Sequence, residues 1–410
     1  MAVDLTDRAG PRWAVMSTYP PTACGLATFT QALVGAMTSL GADPHVVQVV
    51  DEPQRRPPAG VAHQWVGRAA GAVTATAAAL NRYDVVLVQH EFGIYPGSDG
   101  DDLLDVLRRV RVPVVTVLHT VLAEPTRHQR RVLEGVIAAS DVLVTMTRTA
   151  RDRVIGLYGT DPADVHVVPH GAPDALALAG RPPARPVEDR PPADAAAERG
   201  DRRPVILTWG LIGPGKGIEW GIEALSHLGD LATRPRYVVA GRTHPRVFER
   251  EGERYRRRLQ ATAERLGVAQ DVVFDDRYLD AADLHRLIRS ADVVLLPYDS
   301  IEQVTSGVLI EAVAAGRPVV SSSFPHAIEL LGDGTGLLVE RQDPAGIAAA
   351  VRRLLTEPGL AGRLSRRAGV LAPDLSWSTV AGRYLQVGED LLASLDVIRA
   401  PARAALAVGS

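Results

Sequence analysis

The stretch "GLIGPGKGIEWG", residues 210–221, holds Lys216, the only lysine among 45 basic residues. An ammonium in a glycine-rich turn after an apolar run, with a helix opening near Ile218, is equipment for holding an anion. Backbone N–H groups and a fixed positive charge converge there. The chain's bias towards Arg, Ala, Gly and Pro converts lysine to arginine wherever either serves, so a retained lysine argues against an ordinary surface charge. A second helix start lies in "QVTSGVLIEAVAAGRPVV", residues 303–320. The pattern predicts a helix beginning near Thr305 or Ser306 and ending at Gly316, a residue suited to the left-handed position after a helix. The N–H groups of Ser306, Gly307 and Val308 would then be free for phosphate oxygens, and Gly307 would let a ligand approach closely. Glu311 falls on the same face, one turn deeper. A carboxylate there repels phosphate but accepts hydrogen bonds from paired sugar hydroxyls, as a ribose presents. As a solvated helix residue it would be misplaced among Leu309, Ile310, Ala312 and Val313.

Other polar groups end apolar runs. His90 and Glu91 follow "VVLVQ", and His119 follows "VVTVL". His119 emerges straight from a wholly apolar run and is the stronger candidate. His90 reads more readily as a hydrogen-bonded structural histidine, and Glu91 as a cap on the next turn. Gly25, in "STYPPTACGLATF", precedes a helix, and Gly241 opens the stretch "GRTHP" after another apolar run.

The elements that must position these groups are short, uniformly apolar runs alternating with helical stretches: "VVLVQ", "VPVVTVLH", "DVLVTM", "PVILTWG", "RYVVAG", "DVVLLPY" and "RPVVSSS". Strands without alternation are buried on both faces, which predicts parallel sheets covered by helices. A chain of 410 residues is too long for one core. Residues 174–204, rich in Pro, Ala and charge, show neither a helical nor a strand period and read as a flexible loop or linker. The expected architecture is α/β, two doubly wound Rossmann-like parallel-sheet domains facing across a cleft, with ligands at the carboxyl ends of the strands.

Composition narrows the function. A net charge of -3 argues against a nucleic-acid partner. The single cysteine, Cys24, rules out an intramolecular disulfide and a Cys-based zinc cluster. The first residues lack the build of a signal peptide, and no apolar run approaches the ~20 residues of a membrane span. A cytoplasmic protein is expected. "GLIGPGK" matches the opening of a P-loop, but Gly217 stands where magnesium needs a hydroxyl and Pro214 removes a backbone donor. No GxGxxG follows any apolar run, which disfavours a dinucleotide-dependent oxidoreductase. "DGD" at 99–101 sits in a loop and reads as helix capping ahead of Leu103 rather than a metal motif.

Taken together, "TWGLIGPGKGIEWGIEAL", "VVAGRTHP", "SADVVLLPY", "TSGVLIEAVAAGRPVVSS" and "GDGTGLLVE" resemble the donor domain of retaining GT-B glycosyltransferases of family 4. "YPPTACGLATFTQAL", "VQHEFGIYPG", "VLHTV" and "VVPHG" resemble its acceptor domain, and "LSWSTVAGRYL" its last helix, which crosses back to the first domain. The resemblance implies an acceptor-binding domain over 1–173, a donor-binding domain over 205–378 and a crossover helix over 379–410. It implies hexose transfer from a nucleotide-diphosphate sugar of the GDP-mannose or UDP-glucose type to a hydroxyl, with retention and no required metal or other cofactor. Lys216 and Gly210 match the family's diphosphate turn, but Leu211 stands where that turn has an arginine. Glu311 matches the second glutamate of the paired motif, while Gln303 occupies the place of the first; the family glycine three residues on is Ser306. His119 matches the histidine that contacts the transferred sugar, and Gly25 the glycine loop at the diphosphate. Lys216 and His119 are thus the catalytic candidates. The donor base is expected near backbone groups of Arg277 and Tyr278. His90 and Glu91 fall on the acceptor side.

An epimerase or phosphorylase on the same plan, or a non-catalytic nucleotide-sugar binder, stays open at this point. So does the acceptor: natural product, glycan or glycolipid. Arg127, Arg130 and Arg131 share one face of a predicted helix over 124–139. That face suits an anionic acceptor or peripheral contact with the inner membrane face; an ordinary solvated face is the plainer reading.

Overall fold

A computed structural model describes residues 10–179, 202–277 and 279–408. The chain divides into two compact units, Met1–Pro169 with Trp377–Ser410, and His170–Ser376.

The first unit is built on strands β1 (Trp13–Ser17), β2 (Pro44–Val50), β3 (Val61–Val66), β4 (Val85–His90), β5 (Val114–Leu118), β6 (Val142–Thr145) and β7 (Val165–Val167). Among the described residues they form one sheet in the order β3-β2-β1-β4-β5-β6-β7, every pair parallel. The order reverses between β1 and β4, the switch point of a doubly wound sheet. The long helix Trp377–Val408 lays Val380, Ala381, Tyr384, Val387 and Leu391 into this unit's core with Trp13, Phe29, Leu33 and Met37.

The second unit carries β8 (Val205–Trp209), β9 (Arg236–Ala240), β10 (Val272–Asp275), β11 (Val293–Leu296), β12 (Val319–Ser322) and β13 (Leu337–Val339). Their parallel order, β10-β9-β8-β11-β12-β13, reverses between β8 and β11. The uniform apolar runs are explained by two cores. Leu207, Trp209, Val294 and Leu296 enter one, and Ile206, Val293 and Leu295, the alternate residues of the same strands, enter the other. Both faces of the sheet are covered, so no position is left for polar alternation.

The expected linker begins later than its composition suggests. Residues Asp174–Ala179 form a helix, and Leu176 and Ala177 are buried in the second unit's core. The helix starts with an acidic residue and turns Leu176 and Ala177 inward, a pattern too short for periodicity to register. The rest of that linker, 180–201, lies outside the described residues. His170, in the "VVPHG" stretch assigned to the acceptor domain, belongs to the second unit.

Candidate active site

The lysine turn lies at the β8 end of the switch point. Gly210 leaves β8 at φ 117° and Gly241 leaves β9 at φ 133°. A Cβ on Gly241 would stand 1.9 Å from the Gly210 carbonyl oxygen, so only glycine lets these two strand ends meet. Ile212 N–H donates to Arg242 O at 2.8 Å and His244 N–H returns to Ile212 O at 2.8 Å, a small bridge that fixes the turn. At Gly217, φ 62°, a Cβ would lie 1.8 Å from Pro297 O, pinning the turn against the end of β11. The helix Ile218–Ser226 follows, as its sequence predicts.

Lys216 is half-buried, with Nζ 4.1 Å above the ring centroid of Tyr298. Tyr298 is fully buried and stacks on Phe324 at 5.3 Å. Among the described residues no carboxylate pairs with Lys216, so the ring orients the ammonium without neutralising it.

The second helix, Gly307–Ala314, starts where predicted, and Gly316 follows it at φ 63°. Its N-terminus differs from expectation. Ser306 N–H donates to His326 Nδ1 at 2.8 Å and is not free for a ligand; Ser306 Oγ accepts from Leu309 N–H at 3.3 Å and caps the helix. A Cβ on Gly307 would lie 2.8 Å from His170 Nε2, so this glycine makes room for the protein's own imidazole on that side. Burial lowers the pKa of His326 to about 4, against a raising influence of Glu329 and with a further lowering from His170. Burial likewise takes His170 to about 4, opposed by its bond to the Gly171 carbonyl. Two neutral imidazoles thus frame the helix start, and neither was singled out as a site residue from the sequence. The signal was present only as "VVPHG" and an isolated His in "SFPHA", which carry no spacing rule.

One turn deeper, Glu311 keeps a little surface while its carboxyl group is desolvated. Burial raises its pKa to about 7, and a hydrogen bond from Trp209 Nε1, 3.1 Å from Oε2, pulls the other way. A Cβ on Gly210 would fall 3.6 Å from Val308 Cγ2, an ordinary van der Waals distance, so the two residues are neighbours. The lysine turn and the helix start therefore lie side by side at one end of the sheet. Gln303 lies near, with Nε2 donating to Thr305 O at 3.1 Å.

Other expected donor-side groups are engaged internally. Gly241 N–H donates to Asp275 O at 2.7 Å, and Gly241 O accepts from Arg256 Nη2 at 2.7 Å. Arg277 forms a fork on Asp275, its Nε at 2.9 Å and Nη2 at 2.7 Å, and its backbone N–H is also bound to Asp275 Oδ1. That N–H is therefore not open to a base. Tyr278 lies outside the described residues.

In the first unit, Gly25 opens the helix Gly25–Ser39, whose first turn is capped by Cys24 Sγ accepting from Ala27 N–H at 3.3 Å. His119 is half-buried. Its Nε2 lies 2.6 Å from Gln89 Oε1, and its ring packs T-shaped on Phe29 with centroids 4.8 Å apart. His90 is buried against Phe92, and burial lowers its pKa to about 4. Glu91 Oε2 accepts from the Thr120 hydroxyl. The "DGD" stretch does not cap: Asp101 precedes Asp102–Leu107 without a side-chain bond to it. Asp99 and Asp101 instead bracket His128, at 2.8 Å and 3.5 Å. The arginine face is also broken. Within the helix Arg127–Ala138, Arg130 donates to Leu157 O and sits over Tyr158, leaving Arg127 and Arg131 exposed. Among the described residues no group of three His, Cys, Asp or Glu could hold a metal ion, and no helix is long and apolar enough to cross a membrane.

Two doubly wound parallel sheets, the second with a lysine turn and a helix start at its switch point, define an α/β protein of paired Rossmann-like units. The model of the family described as Glycosyltransferase Family 4 matches residues 23–175, and that described as Glycosyl transferases group 1 matches residues 203–357. The chain is 33% identical over 307 residues to a D-inositol 3-phosphate glycosyltransferase of Acidothermus cellulolyticus, covering 70% of this chain and 64% of that protein. It is 29% identical over 287 residues to a glycogen synthase of Mycobacterium tuberculosis, covering 67% of this chain and 63% of that one. The chain thus spans just under two thirds of these relatives' length. Its fold matches Anabaena HepE in complex with UDP and glucose, with a TM-score of 0.69, 15% identity, and coverage of 93% of this chain and 100% of that one. The chain belongs to the family 4, group 1 glycosyltransferases and has the GT-B fold.

Proposed function

We propose that the chain is a retaining glycosyltransferase that moves a hexose from a nucleotide-diphosphate sugar, of the GDP-mannose or UDP-glucose type, to a hydroxyl acceptor without a required metal. The observation that carries this reading is the placement of Lys216. Its ammonium is held over Tyr298, unpaired with any described carboxylate, beside a capped helix start whose next turn carries Glu311. When the anomeric bond breaks, the diphosphate gains negative charge and the sugar becomes oxocarbenium-like. An ammonium ~4 Å away lowers that state by roughly 4 kcal/mol at an effective dielectric of about 20. The N–H groups of Gly307 and Val308 add the helix-start field, with Ser306 N–H turned to His326. Glu311 accepts from ribose hydroxyls, and Trp209 holds one of its oxygens in place. His119 faces the transferred sugar, and Gly25 lets its loop close on the diphosphate. Front-face attack, with the leaving phosphate taking the acceptor's proton, fits the lack of a carboxylate among these acceptor-side groups other than Glu91, which is tied to Thr120.

The HepE structure holds UDP and glucose, which puts uridine diphosphate sugars first in a donor panel. Thermal shift across sugar nucleotides, followed by slow donor hydrolysis, tests the reading. A donor that stabilises the protein and releases UDP or GDP supports it. Lys216→Ala is expected to lower kcat by on the order of 10² to 10³, the range for losing one oxyanion donor. Unchanged kcat would remove Lys216 from the chemistry.

A further inference from the structure

The first unit's interior contains a row of polar side chains that its apolar strands do not require. Register aligns Gln64 of β3 with Gln48 of β2, and Gln48 with Ser17 of β1. Gln89 of β4 follows Val88, the partner of Met16, and so stands beside Ser17. Gln48, Ser17 and Gln89 are fully buried. The row is connected at one end: Gln54 N–H donates to Gln64 Oε1 at 3.0 Å, Gln64 Nε2 to Gln48 Oε1 at 3.0 Å, and Gln48 Nε2 to Tyr19 O at 3.1 Å. Tyr19 opens the loop that leads to Gly25. Toward the other end of the row, Gln89 Oε1 lies 2.6 Å from His119 Nε2. Gln89 Nε2 and Ser17 Oγ have no partner among the described residues. Burying unpaired polar atoms costs stability that an apolar residue would avoid, so a reason beyond packing is needed.

We propose that Gln89 is a positioning residue whose side-chain amide fixes the ring orientation and tautomer of His119. This rests on the reading of His119 as the group that faces the transferred sugar. The carbonyl oxygen accepts, so the proton sits on Nε2 and Nδ1 keeps its lone pair. The ring also packs T-shaped on Phe29, itself packed at 5.0 Å on Trp377, so the amide acts on a ring whose plane is already restrained. A carboxylate in the same place would hold the ring equally well but would favour imidazolium, adding a positive charge beside an oxocarbenium-like sugar. An amide of the same shape orients without charging. The neighbouring titratable groups are committed elsewhere, since His90 packs on Phe92 and Glu91 accepts from Thr120.

The test uses the full chain with two substitutions, Gln89→Met and Gln89→Glu. Nitrogen–carbon correlation spectra of histidine-labelled protein report the tautomer and titration of His119, assigned with a His119→Asn variant. With Gln89→Met, which keeps the volume and suits an apolar interior, the Nε2–H tautomer is expected to give way to a mixture. The rate of donor turnover should fall about tenfold to a hundredfold, as a misplaced group costs. With Gln89→Glu the imidazole should titrate about one unit or more higher. The pH profile of kcat should gain a matching limb absent from the native protein. A tautomer and titration unchanged in both variants would overturn the proposal. A titration that moves while the rate profile stays fixed would uphold the positioning and remove His119 from the reaction, so the two readings fail separately.

Discussion

Glu311→Gln isolates the cost of holding a carboxylate ready for hydroxyl groups. Burial raises the Glu311 pKa from 4.5 to about 7. Between those values the native state keeps a proton that the unfolded state has released, so stability falls as pH rises across that window. The full penalty is the shift of roughly 2.5 units at 1.36 kcal/mol each, about 3 kcal/mol at pH 8. At pH 5 only the unfolded chain has begun to ionise and the penalty is below about 1 kcal/mol. The glutamine amide of the variant has the carboxyl's shape, can accept from Trp209 and never ionises. Urea unfolding of native and Glu311→Gln protein should therefore coincide within about 1 kcal/mol at pH 5, while the variant is more stable by on the order of 2–3 kcal/mol at pH 8. Donor affinity should move oppositely. In the native protein it rises with pH through 7 as the carboxylate forms, and in the variant it is weak and flat. A stability difference independent of pH would refute the buried-carboxylate reasoning. A pH-dependent stability difference with pH-independent donor binding would show that Glu311 is buried but does not meet the donor.

Trp209→Phe removes the hydrogen bond that holds the Glu311 pKa down; the midpoint of pH-dependent donor binding should move upward, read by titration calorimetry from pH 6 to 9. The glycines separate folding from function. Gly217→Ala forces a Cβ to 1.8 Å from Pro297 O at φ 62° and should cost about 3 kcal/mol or more in urea unfolding. Gly25→Ala meets nothing within 4 Å and should leave stability within about 0.5 kcal/mol, so a fall in donor turnover there would report the approach of ligand to that loop.

The elements with a strong physical signature were legible in the chain alone. Runs such as "VVLVQ" and "PVILTWG" could be read as doubly covered parallel strands because two cores leave no solvent side. The helix Gly307–Ala314 could be read from a Ser cap and a terminal glycine, and Lys216 from its uniqueness. What escaped are pairings between residues far apart in sequence. Trp209 and Glu311 are separated by 102 residues, Ser306 and His326 by 20, Gln89 and His119 by 30. No local spacing encodes these, because the sheet order, not the chain order, brings them together. The misread groups fail for the same reason. Arg277, Gly241 and Ser306 each carry polar atoms that look available in one dimension, and each is claimed by a neighbour that only the fold supplies.

A common logic links the pairings that were missed. Trp209 restrains a carboxylate, His326 takes up the N–H of a helix cap, and Gln89 orients an imidazole. In each case a buried neutral group meets the polar group beside it, so local charge is not altered: an indole, a neutral histidine and an amide rather than an arginine, an imidazolium and a carboxylate. In the proposed reaction, none of these three supporting groups adds a charge of its own to the one that Lys216 would bring to a departing diphosphate. An arginine for Trp209 or a glutamate for Gln89 would keep a hydrogen bond to the same partner and still redistribute the field, whereas an imidazolium at His326 could not accept from the Ser306 N–H at all, so the neutrality of each supporting group matters alongside its geometry.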